Sequence, residues 1–326
     1  MKIVKRAGSA LVMVFAVTTA TFFLVRLMPG SPYATELYQL QQQGYSVVQA
    51  ENQVRVLFGF AVQGPLWLQY LHYLGGLVHG NLGTSIMYPG ESVLGLIGKA
   101  VPWTVLIVCV SLLICFAIGV GLGTLAAYLR GGWFDQIVTI GSSLLNGIPQ
   151  YLTAILLFYF LATLGHLFPI GGAYSPAVHP GFNLGFVGSV FYHAMLPILS
   201  FVFSGFAGWA LLMKSSTVSV LGEDFIFTAK AMAIRERDVV ISYVSKNAML
   251  PLFTSLLLSL GFMFGGSVYV EQVFNYPGLG QLFLNSTNSR DFPLMQGCFL
   301  LLTTAVITAN FVADVLYTRL DPRIRQ

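Results

Sequence analysis

Long apolar segments separated by shorter polar ones make up most of the chain. Six such segments lie at about 7–28, 102–128, 136–165, 193–213, 250–270 and 296–318. A helix that crosses a bilayer needs about 20 consecutive, mostly apolar residues, and each segment is long enough. The pattern therefore predicts six transmembrane helices, joined by loops of very unequal length.

Composition supports a membrane protein. Of the 326 residues, 56% are hydrophobic and 9% are charged, whereas a soluble chain carries roughly 25% charged residues. The mean hydropathy is +0.77. No repeat of 20–50 residues and no change in composition marks a second domain. We predict an all-α polytopic membrane protein with a single transmembrane domain over residues 1–326.

The first apolar segment is predicted to be a retained anchor. Lys2, Lys5 and Arg6 precede it, as in a signal peptide. Its apolar run is longer than the roughly 7–15 residues usual for a signal peptide, and no small-residue cleavage site follows. The segment ends instead at Pro29-Gly30, which stops a helix.

The distribution of Lys and Arg predicts the orientation. Twelve of the 16 lie on one side of the six segments. The opposite loops contain only Arg55, Lys99 and Arg290, and Arg26 lies at the outer end of the first span. Because cytoplasmic loops carry the excess of Lys and Arg, both termini are predicted to be cytoplasmic. Segment 29–101 is then outside, and loop 214–249 is cytoplasmic.

The outer segment is long enough to contain its own short helices. Trp67, Tyr70, Leu71 and Leu74 recur there at helical spacing. Tryptophan and tyrosine favour the boundary between membrane and water. A helix at the membrane interface is predicted.

Glycine and proline indicate how the spans pack and bend. Gly119 with Gly123, and Gly261 with Gly265, have the spacing that allows two helix backbones to approach closely. Such contacts form either within one subunit or between subunits. Gly147-Ile148-Pro149 interrupts the third span, and a proline at that point predicts a bend.

The chain offers little chemistry of its own. Charges lie near the ends of the spans, which disfavours an ion-coupled carrier with an internal carboxylate relay. Gly98-Lys99 is followed by Ala100, where a P-loop needs Ser or Thr. The three cysteines lie in apolar runs, and His72 and His79 have no acidic neighbour that would complete a metal site. We predict no catalysis, no metal and no nucleic-acid binding.

The cytoplasmic segment after residue 222 has the pattern of a short amphipathic helix. Glu223 and Asp224 favour a helix start, because carboxylates complement free N–H groups. Phe225, Ala229 and Met232 then recur at i, i+4 and i+7. Such a helix either lies on the lipid surface or binds in a groove of another protein. In the second case, a charge at Ala229 is expected to disturb binding.

Five stretches in order along the chain resemble bacterial ABC importer permeases of the dipeptide, oligopeptide and nickel branch. The strongest is the coupling loop, with Gly222-Glu223-Asp224-Phe225-Ile226, Thr228-Ala229-Lys230-Ala231 and Lys246-Asn247-Ala248-Met249-Leu250-Pro251. The others are Pro29-Gly30-Ser31-Pro32, Gly80-Asn81-Leu82-Gly83-Thr84-Ser85, Pro277-Gly278-Leu279-Gly280 and Asp321-Pro322-Arg323-Ile324-Arg325. The long first outer segment is similar to that of the first permease of a pair.

Several positions depart from the family pattern. Ala233 stands where the coupling loop has glycine, Met232 where it has Lys or Arg, and Phe227 where Arg is common. Ser31 and Asn81 each replace an aspartate. Alanine has less conformational freedom than glycine at a helix exit, so a different turn is expected after the coupling helix.

The resemblance implies a type I ABC importer permease in a bacterial inner membrane. It would pair with a homologous permease, two cytoplasmic ATPases that bind ATP and Mg, and an extracytoplasmic binding protein. The residues implied in ATPase coupling are Glu223, Asp224, Phe225, Thr228, Ala229, Lys230, Ala231 and Ala233. Glu271, Pro277 and Gly278 are candidates for an outer gate or for binding-protein docking.

The resemblance leaves the substrate open. Di- and oligopeptides lead, because that branch mostly carries them, and nickel chelates, glutathione and oligosaccharides are the alternatives. An ion-coupled carrier or channel is the alternative from a different class.

Overall fold

The computed structural model describes residues 2–28, 37–38, 40–58, 65–235 and 238–320. These ranges are mostly helical and contain no β-strand. The helices are α1 (Lys2–Leu27), α2 (Val47–Phe58), α3 (Leu66–Val78), α4 (Val93–Tyr128), α5 (Trp133–Asn146), α6 (Gln150–Leu157), α7 (Leu184–Leu221), α8 (Asp224–Ala231), α9 (Lys246–Val273), α10 (Leu279–Asn288) and α11 (Phe292–Leu320). A π-helical segment, Phe158–Leu164, continues α6, and another, Val239–Ser245, precedes α9.

Some of the features predicted from the sequence are not among the described residues. The proline-containing turn at 29–32, Arg237 and the tail at 321–325 lie outside the described residues, as do the side chains of Lys230 and Asp314. The chain divides into two compact units. The first contains Met1–Pro102 and Gly278–Ala305, and the second contains Trp103–Pro277 and Val306–Gln326.

Four helices are each long and apolar enough to cross a membrane: α1, α4, α7 and α11. Two bent pairs add up to two more spans. Helices α5 and α6 meet at 95°, and the stretch from Tyr243 to Val273 bends by 50°. The break between Asn146 and Gln150 confirms the bend predicted from Gly147-Ile148-Pro149.

Contacts with α7 favour one span for the first bent pair. Hydrogen bonds join Lys214 to Thr139 at 2.6 Å and Ser204 to Thr153 at 2.8 Å, and Tyr192 donates to the carbonyl oxygen of Leu167, just beyond the pair, at 2.6 Å. Residue numbers rise along the bent pair as they fall along α7, so the pair runs antiparallel to α7. A re-entrant loop would return to the side from which it began.

The second unit is packed around α7. Its core contains Ile107, Phe201, Met213, Leu252 and Tyr276, all completely buried. A Cβ built on Gly119 or Gly123 would collide with α7, and one on Gly261 would reach 3.2 Å from the Cα of Val306. These glycines therefore serve close packing within the chain, whereas Gly265 has open space around it.

Lys214 and Asp135 form an ion pair in the second unit. The Asp135 carboxylate also accepts hydrogen bonds from the Gly131 N–H at 3.1 Å and from the Thr139 hydroxyl at 3.2 Å. Both side chains of the pair are mostly shielded from solvent. The pair fixes the start of α5 against α7.

In the first unit, α3 packs beside the end of α1. The Phe22 ring lies 5.2 Å from that of Tyr70 and 5.3 Å from that of Tyr73. The Arg26 guanidinium lies 3.7 Å from the centre of the Phe22 ring, and its Nε donates to Gln69 at 3.0 Å. Burial raises the pKa of Tyr73 to about 12.

Helix α3 has no buried residue although it is strongly apolar. Trp67 is 62% exposed, and Leu66, Leu71 and Val78 are exposed as well. Because α1 is a membrane span and α3 contacts its end, the exposed apolar side of α3 suits the membrane boundary.

We expect Trp67 to lie at the headgroup level of the bilayer. In a variant whose Trp103, Trp133 and Trp209 are replaced by Phe, the remaining tryptophan fluorescence reports on Trp67 alone. Lipids brominated close to the headgroup should quench it more strongly than lipids brominated near the chain end. Absence of quenching by both brominated lipids would place α3 away from the bilayer.

Candidate coupling site

Helix α8 begins directly after the long helix α7. Gly222 ends α7, with its N–H bonded to the carbonyl oxygen of Ser219 at 3.2 Å. The Glu223 carbonyl oxygen then accepts the N–H of Ile226 at 3.0 Å, which starts the new helix. Asp224 lies in its first turn, where a carboxylate complements the helix dipole. The start predicted from Glu223 and Asp224 is confirmed.

One face of α8 is buried. Ile226 and Ala229 are 1% and 3% exposed, and they form a small apolar cluster with Val239 and Val244 of the π-helical segment. Ile234 packs against the same cluster. This cluster attaches α8 to the π-helical segment and to the end of α7, where Val220 and Leu221 pack against it. The expectation that Ala229 shares an outward stripe with Phe225 and Met232 is therefore wrong, because the i, i+3 pair Ile226 and Ala229 faces inward.

The other face of α8 is exposed and partly apolar. Phe225 is 41% exposed, Phe227 is 65% exposed and Met232 is 69% exposed. The remaining described members of the predicted coupling set on this side are polar or small, namely Glu223, Asp224, Thr228, Ala231 and Ala233. Large apolar side chains this exposed on a short helix, beyond its own apolar cluster, are typical of a surface that binds a protein.

Sequence reasoning missed Phe227 as a member of this surface. It was identified only as a departure from the family pattern, whereas Met232 was also part of the predicted apolar stripe. A helical wheel anchored on Ile226 and Ala229 as the inner pair would have placed Phe227 outside. The buried pair itself could be found only from contacts with Val239 and Val244, which follow α8 in the chain.

The helix ends in a left-handed turn at Ala233. The φ angle of Ala233 is +54°. The Ile234 N–H donates to the carbonyl oxygen of Ala229 at 3.4 Å, and Ile234 packs into the same cluster. This is the arrangement of a Schellman motif, which normally has glycine in the left-handed position. The turn therefore has the left-handed conformation that glycine normally adopts, although the residue is alanine.

We expect Ala233→Gly to stabilise this turn. A left-handed conformation costs a residue with a Cβ atom about 1–2 kcal/mol, and glycine would remove this cost. Part of the gain is lost because glycine makes the unfolded chain more flexible. The net effect should be a local stabilisation of about 0.5–1 kcal/mol. Hydrogen exchange of the 224–234 amides should slow, and Ala231→Gly, in the helix itself, should accelerate it. Faster exchange in Ala233→Gly would contradict the strained turn.

The three residues predicted at the outer side have different surroundings. Glu271 is completely buried and accepts a hydrogen bond from the Thr104 hydroxyl at 2.7 Å. Burial and the charge of Glu271 both raise the pKa of Tyr276. A buried carboxylate offers no surface to a soluble partner, so an anchoring role suits Glu271 better. Pro277 is exposed, and Gly278 is buried as the N-cap of α10.

In the first unit, Asp291 joins two distant parts of the chain. Its carboxylate accepts the Ser85 hydroxyl at 2.5 Å and the N–H groups of Ile86 and Met87 at 2.9 Å. It also accepts the Leu294 N–H at 3.1 Å, which caps α11. Asp291 is completely buried. It holds the turn that ends at Ser85, one of the five stretches of the family resemblance.

No cluster of three metal-ligating side chains lies within the described residues. His72 and His79 each use Nδ1 toward a backbone carbonyl oxygen one turn earlier, that of Leu68 at 3.0 Å and that of Gly75 at 2.8 Å. Both border an open groove of about 530 Å³ on α3.

Comparison with known proteins identifies the family. Residues 119–326 match the family described as the inner membrane component of binding-protein-dependent transport systems. The chain belongs to this family. The resemblance to importer permeases seen in the sequence is thereby confirmed, and the chain is an inner-membrane transport component with several membrane-spanning helices.

Full-length relatives within this family are named as peptide permeases. A peptide permease protein of Brucella suis is 34% identical over 96% of this chain and 95% of its own length. The oligopeptide permease AppB of Bacillus subtilis and the dipeptide permease DppB of Escherichia coli K12 are each 30% identical, over 99% of this chain and 98% of theirs.

A solved structure confirms the fold class. An inward-facing structure of the MetNI methionine ABC transporter has a TM-score of 0.53 and 17% identity, and it covers 70% of this chain and 97% of its own. At this identity the likeness concerns the fold alone. The prediction of an all-α, type I importer permease is confirmed.

Proposed function

We propose that this permease is the first of a pair of homologous permeases that together import di- and oligopeptides. The observation that carries the proposal is the similarity over 95% or more of both chains to proteins named as peptide, oligopeptide and dipeptide permeases. A relationship at this coverage concerns the whole permease, including its outer segment. Nickel chelates, glutathione and oligosaccharides are the alternative substrates, and peptides are compared with them in the uptake experiment below.

In this proposal α8 transmits the work of partner ATPases. Two cytoplasmic ATPases would bind ATP and Mg, and this chain would contribute no catalytic residue. The exposed Phe225, Phe227 and Met232 would bind in an ATPase cleft, while Ile226 and Ala229 attach the helix to the membrane helices. Because α8 follows α7 with only Gly222 and Glu223 between them, movement of α8 would be passed directly to a membrane span.

The proposal also orients the chain. The excess of Lys and Arg on one side supports a cytoplasmic location for α8 and both termini. The opposite loops would receive substrate from an extracytoplasmic binding protein, with Pro277 at an exposed position between α9 and α10.

Purification from the native host tests the assembly. The chain is tagged at its C-terminus and extracted in mild detergent, and the proteins that accompany it are identified by mass spectrometry. Recovery of a second permease and one or two ATPases would support the proposal. Recovery of the chain alone, even after cross-linking, would overturn it.

Uptake by the purified complex tests the substrate. The complex is reconstituted in vesicles with ATP and the binding protein, and labelled peptides, nickel chelate, glutathione and oligosaccharides are compared. ATP-dependent uptake of peptides is the expected result. Uptake driven by an ion gradient without ATP would favour a carrier.

A further inference from the structure

The break between α5 and α6 lies at membrane depth. Asn146, the last residue of α5 before the break, lies beside Gly208 of α7. From Gly208, α7 runs about 9 Å to Lys214 and about 24 Å to Tyr192 at 1.5 Å per residue. Lys214 contacts Thr139 of the bent span, and Tyr192 contacts Leu167, three residues beyond the end of that span. The non-helical residues are therefore inside the span and not at its edge.

Two amide side chains flank this break, and each rests on a glycine. A Cβ built on Gly208 would lie 3.0 Å from the Asn146 side-chain oxygen, and one built on Gly266 of α9 would lie 2.8 Å from the Gln150 side-chain oxygen. Neither amide has a hydrogen-bond partner among the residues that the structure describes. The glycines provide room for the amides, and the amide hydrogen-bonding groups remain available.

The surface around the break is exposed in this chain. Residues 146–149 are exposed. Tyr151 and Tyr269 are 45% and 62% exposed, and their rings lie 6.4 Å apart. Gly265, next to the Gln150 contact, has open space around it. Lipid is a poor cover for such a surface, because irregular backbone and free amides at membrane depth occur where they face protein or water.

The chemistry of this surface matches a peptide backbone. It carries no charge, so it does not select charged side chains of a cargo. Each amide offers both donors and an acceptor, the groups that an extended peptide presents along its length. The two tyrosine rings add apolar area with a hydroxyl group. An uncharged surface also binds weakly enough for the cargo to leave, as conduction requires.

We propose that Asn146, Gln150, Tyr151 and Tyr269 form a contact site for the backbone of the transported peptide within the translocation pathway. The proposal rests on the proposed function, since it takes peptides as the cargo. It adds a location that the family membership does not supply, at the break of the α5–α6 span and the facing part of α9.

Thiol accessibility tests the location. In the assembled importer, with Cys109, Cys115 and Cys298 replaced by alanine, Gln150→Cys and Tyr269→Cys are treated with a membrane-impermeant thiol reagent. We expect both to be modified, and a transported peptide with ATP to slow modification several-fold. The matched control is Leu156→Cys, on the same span and 53% exposed, which should face lipid and resist the reagent.

Two results would overturn the location. Absence of modification at residues 150 and 269 would overturn the location, and an oxidant-induced disulfide from residue 150 to a cysteine introduced in the second permease would show that a protein partner covers the surface. Modification at a rate that peptide does not change would show an aqueous surface without a cargo site.

Uptake kinetics test the role. Gln150→Leu should raise the KM for peptide uptake about two- to tenfold, the effect of one hydrogen bond, while binding-protein-stimulated ATP hydrolysis persists. Gln150→Asn should retain most of the affinity. An unchanged KM in Gln150→Leu would overturn the inference. Failure of the unaltered complex to import any peptide would instead overturn the proposed function, so the two failures are distinguishable.

Discussion

Phe227→Asp is expected to abolish peptide uptake while the permease still folds and inserts. Phe227 is 65% exposed on α8 and lies outside the apolar cluster of Ile226 and Ala229. A carboxylate at that position would have to lose its water inside an ATPase cleft without a partner, which costs several kcal/mol. An interface penalty of about 3 kcal/mol weakens binding more than a hundredfold. The measurement is ATP-driven uptake in vesicles together with binding-protein-stimulated ATP hydrolysis.

The matched variants separate docking from folding. Phe227→Leu keeps an apolar side chain and should preserve most uptake. Ala229→Asp should lower the amount of folded permease as well as uptake, because Ala229 is 3% exposed and a buried unpaired carboxylate is costly. Normal uptake by Phe227→Asp, at a normal protein level, would show that this face of α8 is not the coupling surface.

The membrane helices could be predicted because their signal is local. A span is recognised from about 20 consecutive apolar residues, and a proline within it produces a bend wherever the chain then packs. The break at 147–149 follows from Pro149 in this way. The angle of 95° does not, because contacts of α5 and α6 with α7 determine it.

The outward face of α8 could not be predicted because its signal is not local. With only eight helical residues, several apolar sets have helical spacing, and Phe225, Ala229 and Met232 form one of them. The true inner pair, Ile226 and Ala229, is selected by contacts with the later π-helical segment. The expectation of a different turn after the coupling helix is wrong as well, because Ala233 adopts the left-handed conformation, with φ +54°, that the glycine of the family pattern would favour.

The role of Asp291 illustrates a partial signal. Asp before Phe292-Pro293 is a recognisable helix start, because aspartate is a good N-cap and proline is accepted in the first turn. The Leu294 N–H bond to Asp291 fits that reading. The bond to Ser85 joins residues 206 positions apart, and no local pattern indicates it. Asp291 is not among the residues predicted from the sequence; the local pattern could have identified the cap, but not the turn that the same carboxylate holds.

Asp291→Ala is expected to destabilise the permease by about 3–5 kcal/mol. The carboxylate is completely buried and accepts the Ser85 hydroxyl and three backbone N–H groups. Each buried donor left without an acceptor costs about 1–3 kcal/mol, although rearrangement and water recover part of the sum. Thermal unfolding in detergent, followed by tryptophan fluorescence, should show a midpoint lower by several degrees and less protein recovered from membranes.

A graded series shows whether the carboxylate or a single bond is responsible. Ser85→Ala removes one donor to Asp291 and the acceptor of the Tyr88 N–H, but leaves the three N–H bonds of the carboxylate, so the cost should be about 1–2 kcal/mol. Asp291→Asn keeps one oxygen but replaces the other with an amide nitrogen that cannot accept a hydrogen bond. Its destabilising effect should therefore lie between those of Asp291→Ala and Ser85→Ala. Because the pairing holds a turn in one compact unit, ATP hydrolysis per folded complex should change little. Equal midpoints for Asp291→Ala and Ser85→Ala would show that the N–H bonds of the carboxylate contribute nothing to stability.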